Sequence, residues 1–258
     1  RDCVGAIRLL PLDHPPENIR QIDAEPLDEE AVADILRSTT SVAPLGQRDD
    51  DWLRITVPGA QEKTALLWHE QQWQRPLGTT PTTHLFKLPL GRVGNMQADL
   101  STSVENEWLC AQIVREFGLP AANCNIAEFS DQKVLVVERF DRRLAKDKQW
   151  WIRLPQEDMC QATATPPALR YEADGGPGVP ELCSLLLGSR NATADRRNFF
   201  KTQVLFWLLC ATDGHAKNFS VFIEANGRYS LTPIYDVISA YPIVGGRKNQ
   251  MAAQKVRM

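Results

Sequence analysis

The dipeptide Asn226-Gly227 constrains this chain more than any other feature. It stands between two strand-like runs, Phe219-Ser220-Val221-Phe222-Ile223 and Tyr229-Ser230-Leu231-Thr232-Pro233-Ile234-Tyr235-Asp236. Asn-Gly is a strong signal for a two-residue type I′ turn, because both residues accept the positive φ that this turn needs. With 226 and 227 as the turn, Asn218 faces Tyr235 and Asp236 lies one step further. Upstream, the nearly all-apolar segment Phe199 to Ala211 reads as a central buried helix. It ends in Thr212-Asp213-Gly214-His215-Ala216-Lys217-Asn218, which leads directly into the first strand. Asp213, Asn218 and Asp236 are therefore expected together at the open end of one hairpin.

Metal-assisted phosphoryl transfer needs such a set. Hard oxygen ligands hold Mg²⁺, and a further carboxylate orients a hydroxyl or accepts its proton. Asp213 and Asn218 have the D-x-x-x-x-N spacing of protein-kinase catalytic loops. Structural readings stand beside this: Asp213 could end the helix with Gly214 as its C-cap, Asp236 could cap a following helix, and Asn218 could satisfy a turn. His215 could act electrostatically near phosphates, or could simply be a loop histidine facing solvent.

The upstream half reads differently. Residues 1–10 suggest a strand, a proline-containing loop follows, and Asp28-Glu29-Glu30 starts a helix near 28–37. Strands are expected at 53–57, 64–68 and 83–88, with the turn Pro58-Gly59-Ala60-Gln61-Glu62-Lys63 between the first two. That turn could cover phosphates with backbone N–H groups, or could be an ordinary hairpin loop. A helix from Thr102 to Phe117 is expected, with Thr102 and Glu105 at capping-box spacing and Gly118 and Pro120 closing it. Its apolar arc takes in Leu109, Ile113, Phe117, Cys110, Val114, Val104 and Trp108, and Glu107 lies inside that arc. A buried carboxylate needs a partner. Lys87, which interrupts Leu85-Phe86-Lys87-Leu88, supplies one if the two pair as a kinase strand lysine pairs with its helix glutamate. After the strand Lys133–Val137, Glu138 to Phe140 is placed where a hinge would offer backbone groups to adenine. Residues beyond about 150 read as mainly helical, interrupted by Asp174-Gly175-Gly176-Pro177-Gly178.

This order points to an α+β chain in two lobes, a mainly β lobe over 1–140 and a mainly α lobe over 141–258. A net charge of −3 over 258 residues gives no electrostatic footprint for nucleic acid. The six cysteines form no C-x-x-C pair, and several sit in apolar runs, as reduced thiols of a cytoplasmic protein do. No apolar run approaches the roughly 18 residues of a membrane span. Without an initiator methionine, and with a polar stretch at the other end, the chain is expected to be a piece of a longer protein.

Four segments together resemble the HipA family, the serine/threonine-kinase toxins of bacterial type II toxin–antitoxin modules. They are Val57-Pro58-Gly59-Ala60-Gln61-Glu62-Lys63-Thr64-Ala65-Leu66-Leu67, Val137-Glu138-Arg139-Phe140-Asp141-Arg142-Arg143, Arg153-Leu154-Pro155-Gln156-Glu157-Asp158-Met159-Cys160-Gln161 and Ala211-Thr212-Asp213-Gly214-His215-Ala216-Lys217-Asn218-Phe219-Ser220. The resemblance implies a protein-kinase-like fold of the phosphatidylinositol-kinase type, with ATP and Mg²⁺ as cofactors. It implies an aminoacyl-tRNA synthetase, of the glutamyl type, as the substrate, whose phosphorylation slows translation and favours persistence. By position, Asp213 becomes the base, with Asn218 and Asp236 on Mg²⁺ and Lys87 on the ATP phosphates. Gly59, Ala60, Gln61, Glu62 and Lys63 become the phosphate loop, Glu107 the partner of Lys87, and Glu138 and Phe140 the adenine contacts. His215 and Tyr235 line the site. The implied partner is a HipB-type antitoxin, through which DNA is reached only indirectly, in the bacterial cytoplasm. Thr56 stands where family members autophosphorylate a serine, and the small N-terminal subdomain and last helices of full-length members are missing. Related lipid or metabolite kinases, an inactive nucleotide-binding module, and a metal phosphohydrolase using Asp213, His215 and Asp236 are the competing functions.

Overall fold

The computed structural model describes residues 2–8, 12–13, 18–40, 61–93 and 98–244. The expected strand at 53–57, Thr56, and the loop residues Gly59 and Ala60 lie outside them. In chain order the elements are β1 (Ala24–Pro26), α1 (Glu29–Thr40), β2 (Lys63–His69), β3 (Gln72–Pro76), β4 (His84–Lys87), β5 (Gly91–Val93), β6 (Ala98–Leu100) and α2 (Ser103–Glu116). They continue with β7 (Cys124–Phe129), β8 (Gln132–Glu138), β9 (Arg142–Leu144), β10 (Trp151–Arg153), β11 (Gln156–Asp158), α3 (Met159–Ala162) and α4 (Val179–Leu185). The last are α5 (Ala192–Leu209), β12 (Ser220–Ile223), β13 (Tyr229–Leu231) and α6 (Tyr241–Val244). Two compact units result, one of Arg1–Leu90 with Asn123–Leu154, the other of Gly91–Ala122 with Pro155–Met258. The chain thus crosses between units at 90/91, 122/123 and 154/155, where the sequence suggests one division at 140, and α2 groups with the second unit.

In the first unit, six strands form an antiparallel sheet in the order β1-β3-β2-β4-β8-β7. Val32, Ala33, Ile35 and Leu36 of α1 recur at helical spacing and are buried against Leu66, Phe86, Phe129, Val134 and Val136. The run Ala65–Leu67 in β2 is buried on both faces, which is why it is continuously apolar rather than alternating. Register sets Lys63 directly opposite Lys87, and Lys87 opposite Leu135. Opposite residues share a face, so both lysines lie on the side of the sheet away from α1.

The described residues of the segment 1–10, which are 2–8, do not form the expected strand. Asp2 and Arg8 make an isolated bridge around a turn in which Gly5 takes φ +69. The cause is electrostatic. Asp2 is drawn to Arg139 at 3.2 Å, Arg142 at 3.1 Å and Arg153 at 3.0 Å. The Gly5 N–H donates to Asp141 Oδ2 at 2.8 Å. Burial opposes ionisation of both carboxyls, but the guanidinium groups outweigh it and hold Asp2 and Asp141 below the usual carboxylate range.

In the second unit, Phe219 lies against Phe199 and Phe206, with ring centroids 5.0 and 5.7 Å apart. The expected central buried helix is one-sided. α5 buries Phe199, Thr202, Leu205 and Phe206, but Phe200, Val204, Trp207 and Leu208 are exposed. The buried stripe of α2 is also rotated from the expected arc. Leu109 and Phe117 are more than half exposed, while Ser103, Val104, Asn106, Glu107, Cys110 and Val114 are buried. A polar contact turns the helix: Asn106 exchanges two hydrogen bonds with the Ser239 backbone, at 2.8 and 2.9 Å. Thr102 makes no side-chain cap. The region beyond 150 is less helical than expected, because β10 pairs with β9 and β11 joins β12 and β13 in a three-stranded sheet. None of the six cysteines is in a disulfide.

The hairpin forms, one residue out of the expected register. Val221 pairs with Leu231, Phe222 with Ser230 and Ile223 with Tyr229. A three-residue turn, Ala225–Gly227, replaces the two-residue one, with Asn226 and Gly227 at φ 65 and 71. Beyond Thr232 the second strand changes partner, since Pro233 has no N–H to continue the ladder. Ile234 instead exchanges hydrogen bonds of 2.8 Å with the backbone of Pro120 and Ala122.

Candidate active site

α5 ends at Cys210 in a left-handed conformation, φ 51, and the chain doubles back over the helix. Gly214 lies so close to the Phe206 ring that a Cβ there would run into it. Glycine thereby lets the loop rest on α5 and projects Asp213 outward into solvent. The Asn218 Nδ2 donates to the Asp213 carbonyl at 2.8 Å, closing the five-residue interval seen in the sequence. That bond also fixes which amide atom is which: Oδ1 is left as a hard acceptor.

His215, 7% exposed, is held between these groups. Burial lowers its pKa, against the opposing pull of Asp213 and Asp236, so the ring is neutral at neutral pH. Its Nδ1 is buried without a hydrogen-bond partner among the described residues. Asp236 takes φ 61, a left-handed conformation that aspartate tolerates better than most side chains. Tyr235, expected to line the site, ties it together from beneath. Its hydroxyl meets Ser220 Oγ at 2.6 Å and donates to the Lys217 carbonyl at 3.0 Å.

Among the described residues no three His, Cys, Asp or Glu side chains could together hold a metal. Asp236 and the Asn218 amide oxygen are the two hard oxygen donors that the sequence singles out for a metal. So sparse a set suits Mg²⁺, which is held by one or two protein oxygens together with substrate phosphates.

The other expected residues belong to the first unit, apart from Glu107. Lys87 is 7% exposed in β4. Its neighbour Lys63 concentrates a second ammonium on the same face of the sheet. The Gln61 amide donates to the Leu88 carbonyl at 2.7 Å, and the Leu88 N–H to the Glu62 carbonyl at 3.2 Å. These bonds anchor the end of the expected phosphate loop beside β4. The Glu138 N–H is already committed to the Asn123 carbonyl at 2.8 Å, so its C=O is the group it could offer. Phe140 follows as the next residue but one. Glu107, 4% exposed in α2, belongs to the second unit. A concavity of about 230 Å³ lined by Trp68, Trp73, His84 and Glu138 lies on the α1 face, away from the lysines.

Two contacts escaped the sequence reading. Lys217 pairs with Asp158 at 2.5 Å, and Asp158 is the N-cap of α3 in a capping box with Gln161. The Tyr171 hydroxyl donates to Asp213 Oδ1. Tyr171 precedes the glycine-rich stretch that was noticed, but nothing in its spacing points at Asp213.

Residues 55–258 match the model of the HipA-like C-terminal domain family. The chain is 29% identical to the Serine/threonine-protein kinase toxin HipA of Shewanella oneidensis over 72% of its own length and 43% of that protein. It is 29% identical, over its full length and 60% of the relative, to the candidate kinase Y4mE of Sinorhizobium fredii. Among solved structures, the Shewanella oneidensis HipA–HipB–operator DNA complex contains a chain superposing with a TM-score of 0.71 at 27% identity, covering 92% of this chain and 55% of that one. The chain thus spans no more than about 60% of these relatives, and it shares the fold of the superposed HipA chain. On the family match and the shared fold together, this chain belongs to the HipA-like C-terminal domain family.

Proposed function

We propose that this chain is the ATP-dependent catalytic portion of a serine/threonine-protein kinase toxin of the HipBA type. The observation that carries the reading is the closed Asp213–Asn218 loop, in which the Asn218 amide is pinned to the Asp213 carbonyl while the Asp213 carboxylate stays at the surface. Asp213 orients an incoming serine or threonine hydroxyl and takes its proton. That oxygen bonds to the γ-phosphorus of ATP as the bond to the β-phosphate oxygen breaks and ADP leaves. Asn218 Oδ1 and Asp236 would hold Mg²⁺, which would supply neutralisation of phosphate charge. Lys87 with Lys63, and the loop 59–63, face the phosphates. Glu138 and Phe140 offer backbone atoms to adenine. His215, neutral, adds a dipole without repelling the metal.

The substrate is an aminoacyl-tRNA synthetase, of the glutamyl type, and its phosphorylation slows translation and favours persistence. The partner is a HipB-type antitoxin, and Thr56 is the site of self-phosphorylation. Support comes from the family match, from a relative named as a kinase toxin, and from the fold shared with a HipA bound to HipB and operator DNA. The test is transfer of labelled γ-phosphate from ATP into a bacterial lysate by the wild-type chain and by Asp213→Asn. Label on a synthetase-sized protein, lost in the variant, is expected. Label confined to lipid or small molecules, or equal label with Asp213→Asn, refutes the proposal.

A further inference from the structure

We infer that Tyr171 is a positioning residue for Asp213: its phenol fixes one carboxylate oxygen so that the other faces the acceptor hydroxyl. The inference rests on the kinase reading for its consequence, but not for the contact itself. Asp213 is exposed, and among the described residues its carboxylate has no other hydrogen-bond partner than Tyr171. An exposed aspartate left to itself samples several rotamers, and a base must be aimed before it is useful.

Tyr171 is itself held from every side. The Arg170 guanidinium lies over its ring at 4.8 Å, and the His215 ring meets it edge-on at 4.8 Å. The Tyr171 carbonyl accepts from the N–H groups of Asp174 and Gly176, both at 3.0 Å. A side chain at Gly176 would run into the carbonyls of Leu169 and Tyr171, so the turn closes this tightly only with glycine. The Ala216 N–H donates to the Arg170 carbonyl at 3.2 Å, which joins this segment to the loop on the far side of Asp213. Tyr171, His215 and Asp213 thus form one braced set. Burial pushes the Tyr171 phenol up from its ordinary pKa, and its bond to Asp213 pushes the same way, so the hydroxyl is a donor at neutral pH.

A packing role needs the ring but not the hydroxyl. A built-in blocking role would have the phenol occupy the acceptor's place. Tyr171→Phe in the full chain separates these. At saturating ATP with lysate protein as acceptor, the variant is expected to lose between about tenfold and a hundredfold in kcat, the range for a hydrogen bond to a charged group, with KM for ATP unchanged. Unchanged kcat supports packing alone and overturns the inference, and a faster variant overturns it in favour of the blocking role. A readout free of catalysis accompanies this: the ¹³Cζ titration of Tyr171, its signal assigned by its absence in Tyr171→Phe. The phenol is expected to titrate at lower pH in Asp213→Asn, and no change would overturn the contact. A wild-type chain that transfers no label overturns the kinase reading and with it the acceptor role, while the titration separately decides the Tyr171–Asp213 link.

Discussion

Asp141 is a heavily committed buried carboxylate of the first unit, and Asp141→Ala should be correspondingly costly. Its two oxygens accept from Arg139 Nε at 3.0 Å and Nη2 at 2.9 Å, and from the Gly5 N–H at 2.8 Å. They also pair with Arg142 Nη1 at 3.0 Å. The carboxylate is 4% exposed and the Arg139 side chain 3%, so the variant leaves Arg139 buried with only Asp2, at 3.2 Å, as counter-charge. Removing one partner of a buried pair costs about 3–5 kcal/mol. For a unit of roughly 120 residues, each kcal/mol moves the midpoint by about 4 °C, giving a fall of about 12–20 °C by calorimetry at pH 7. The pH dependence has a defined sign. Against the penalty of burial, the arginines hold the folded pKa of Asp141 below its ordinary 3.8, so its contribution is complete above that value and fades as pH falls below it. The wild-type advantage should therefore narrow in acid. A loss under about 1 kcal/mol at pH 7, or a gap that stays constant down through the carboxylate range, would refute the reasoning. The exposed set of Arg37 with Glu30, Asp34 and Asp131 serves as the contrast. Asp131→Ala should barely move the transition, because water and salt screen such pairs.

Phe219→Ala should destabilise the second unit by about 3–5 kcal/mol in denaturant unfolding, since the ring is 1% exposed between Phe199 and Phe206. For His215, burial depresses the folded pKa below 6.5, so stability falls as pH drops through that value and the unfolded chain takes up protons preferentially. His215→Gln should flatten that slope in melts run between pH 7 and 5. Asp236→Asn and Asp236→Ala should both abolish label transfer. Only the alanine variant should also lose about 1 kcal/mol in melting experiments, because φ 61 is tolerated by asparagine and strained for alanine.

Much of the molecule was readable from residue order alone. α1, β2, β4 and β8 lie where periodicity puts them, because each buries a face or a whole run and the pattern has one solution. The Asp213–Asn218 loop was equally legible, being local. Most of the misses share a cause, which is that a distant partner settles the outcome. Residues 1–10 look like a strand until Asp2 meets the arginines of β9 and β10 and their neighbour Arg139. α2 looks capped and conventionally amphipathic until Asn106 binds the Ser239 backbone. The Asn-Gly turn was right in kind, but the closing Glu224 N–H to Arg228 carbonyl bond, 2.7 Å, admits Ala225 to the loop and shifts the register. Tyr171 was invisible because 42 residues separate it from Asp213 and no motif spans them.

The interleaving of the two units has a consequence during synthesis. β4 is hydrogen-bonded to β2 on one side and β8 on the other, yet β8 begins at residue 132 while β4 ends at 87. Between them the ribosome must deliver β5, β6 and α2, all of which belong to the other unit. At about 5–20 residues per second, that leaves the edge of β4 without its second neighbour for roughly 2–9 seconds. An apolar strand with an open edge is a template for unwanted pairing. The nascent chain therefore carries a defined window of vulnerability, opening at Leu88 and closing as β8 begins at Gln132, and slower translation lengthens it.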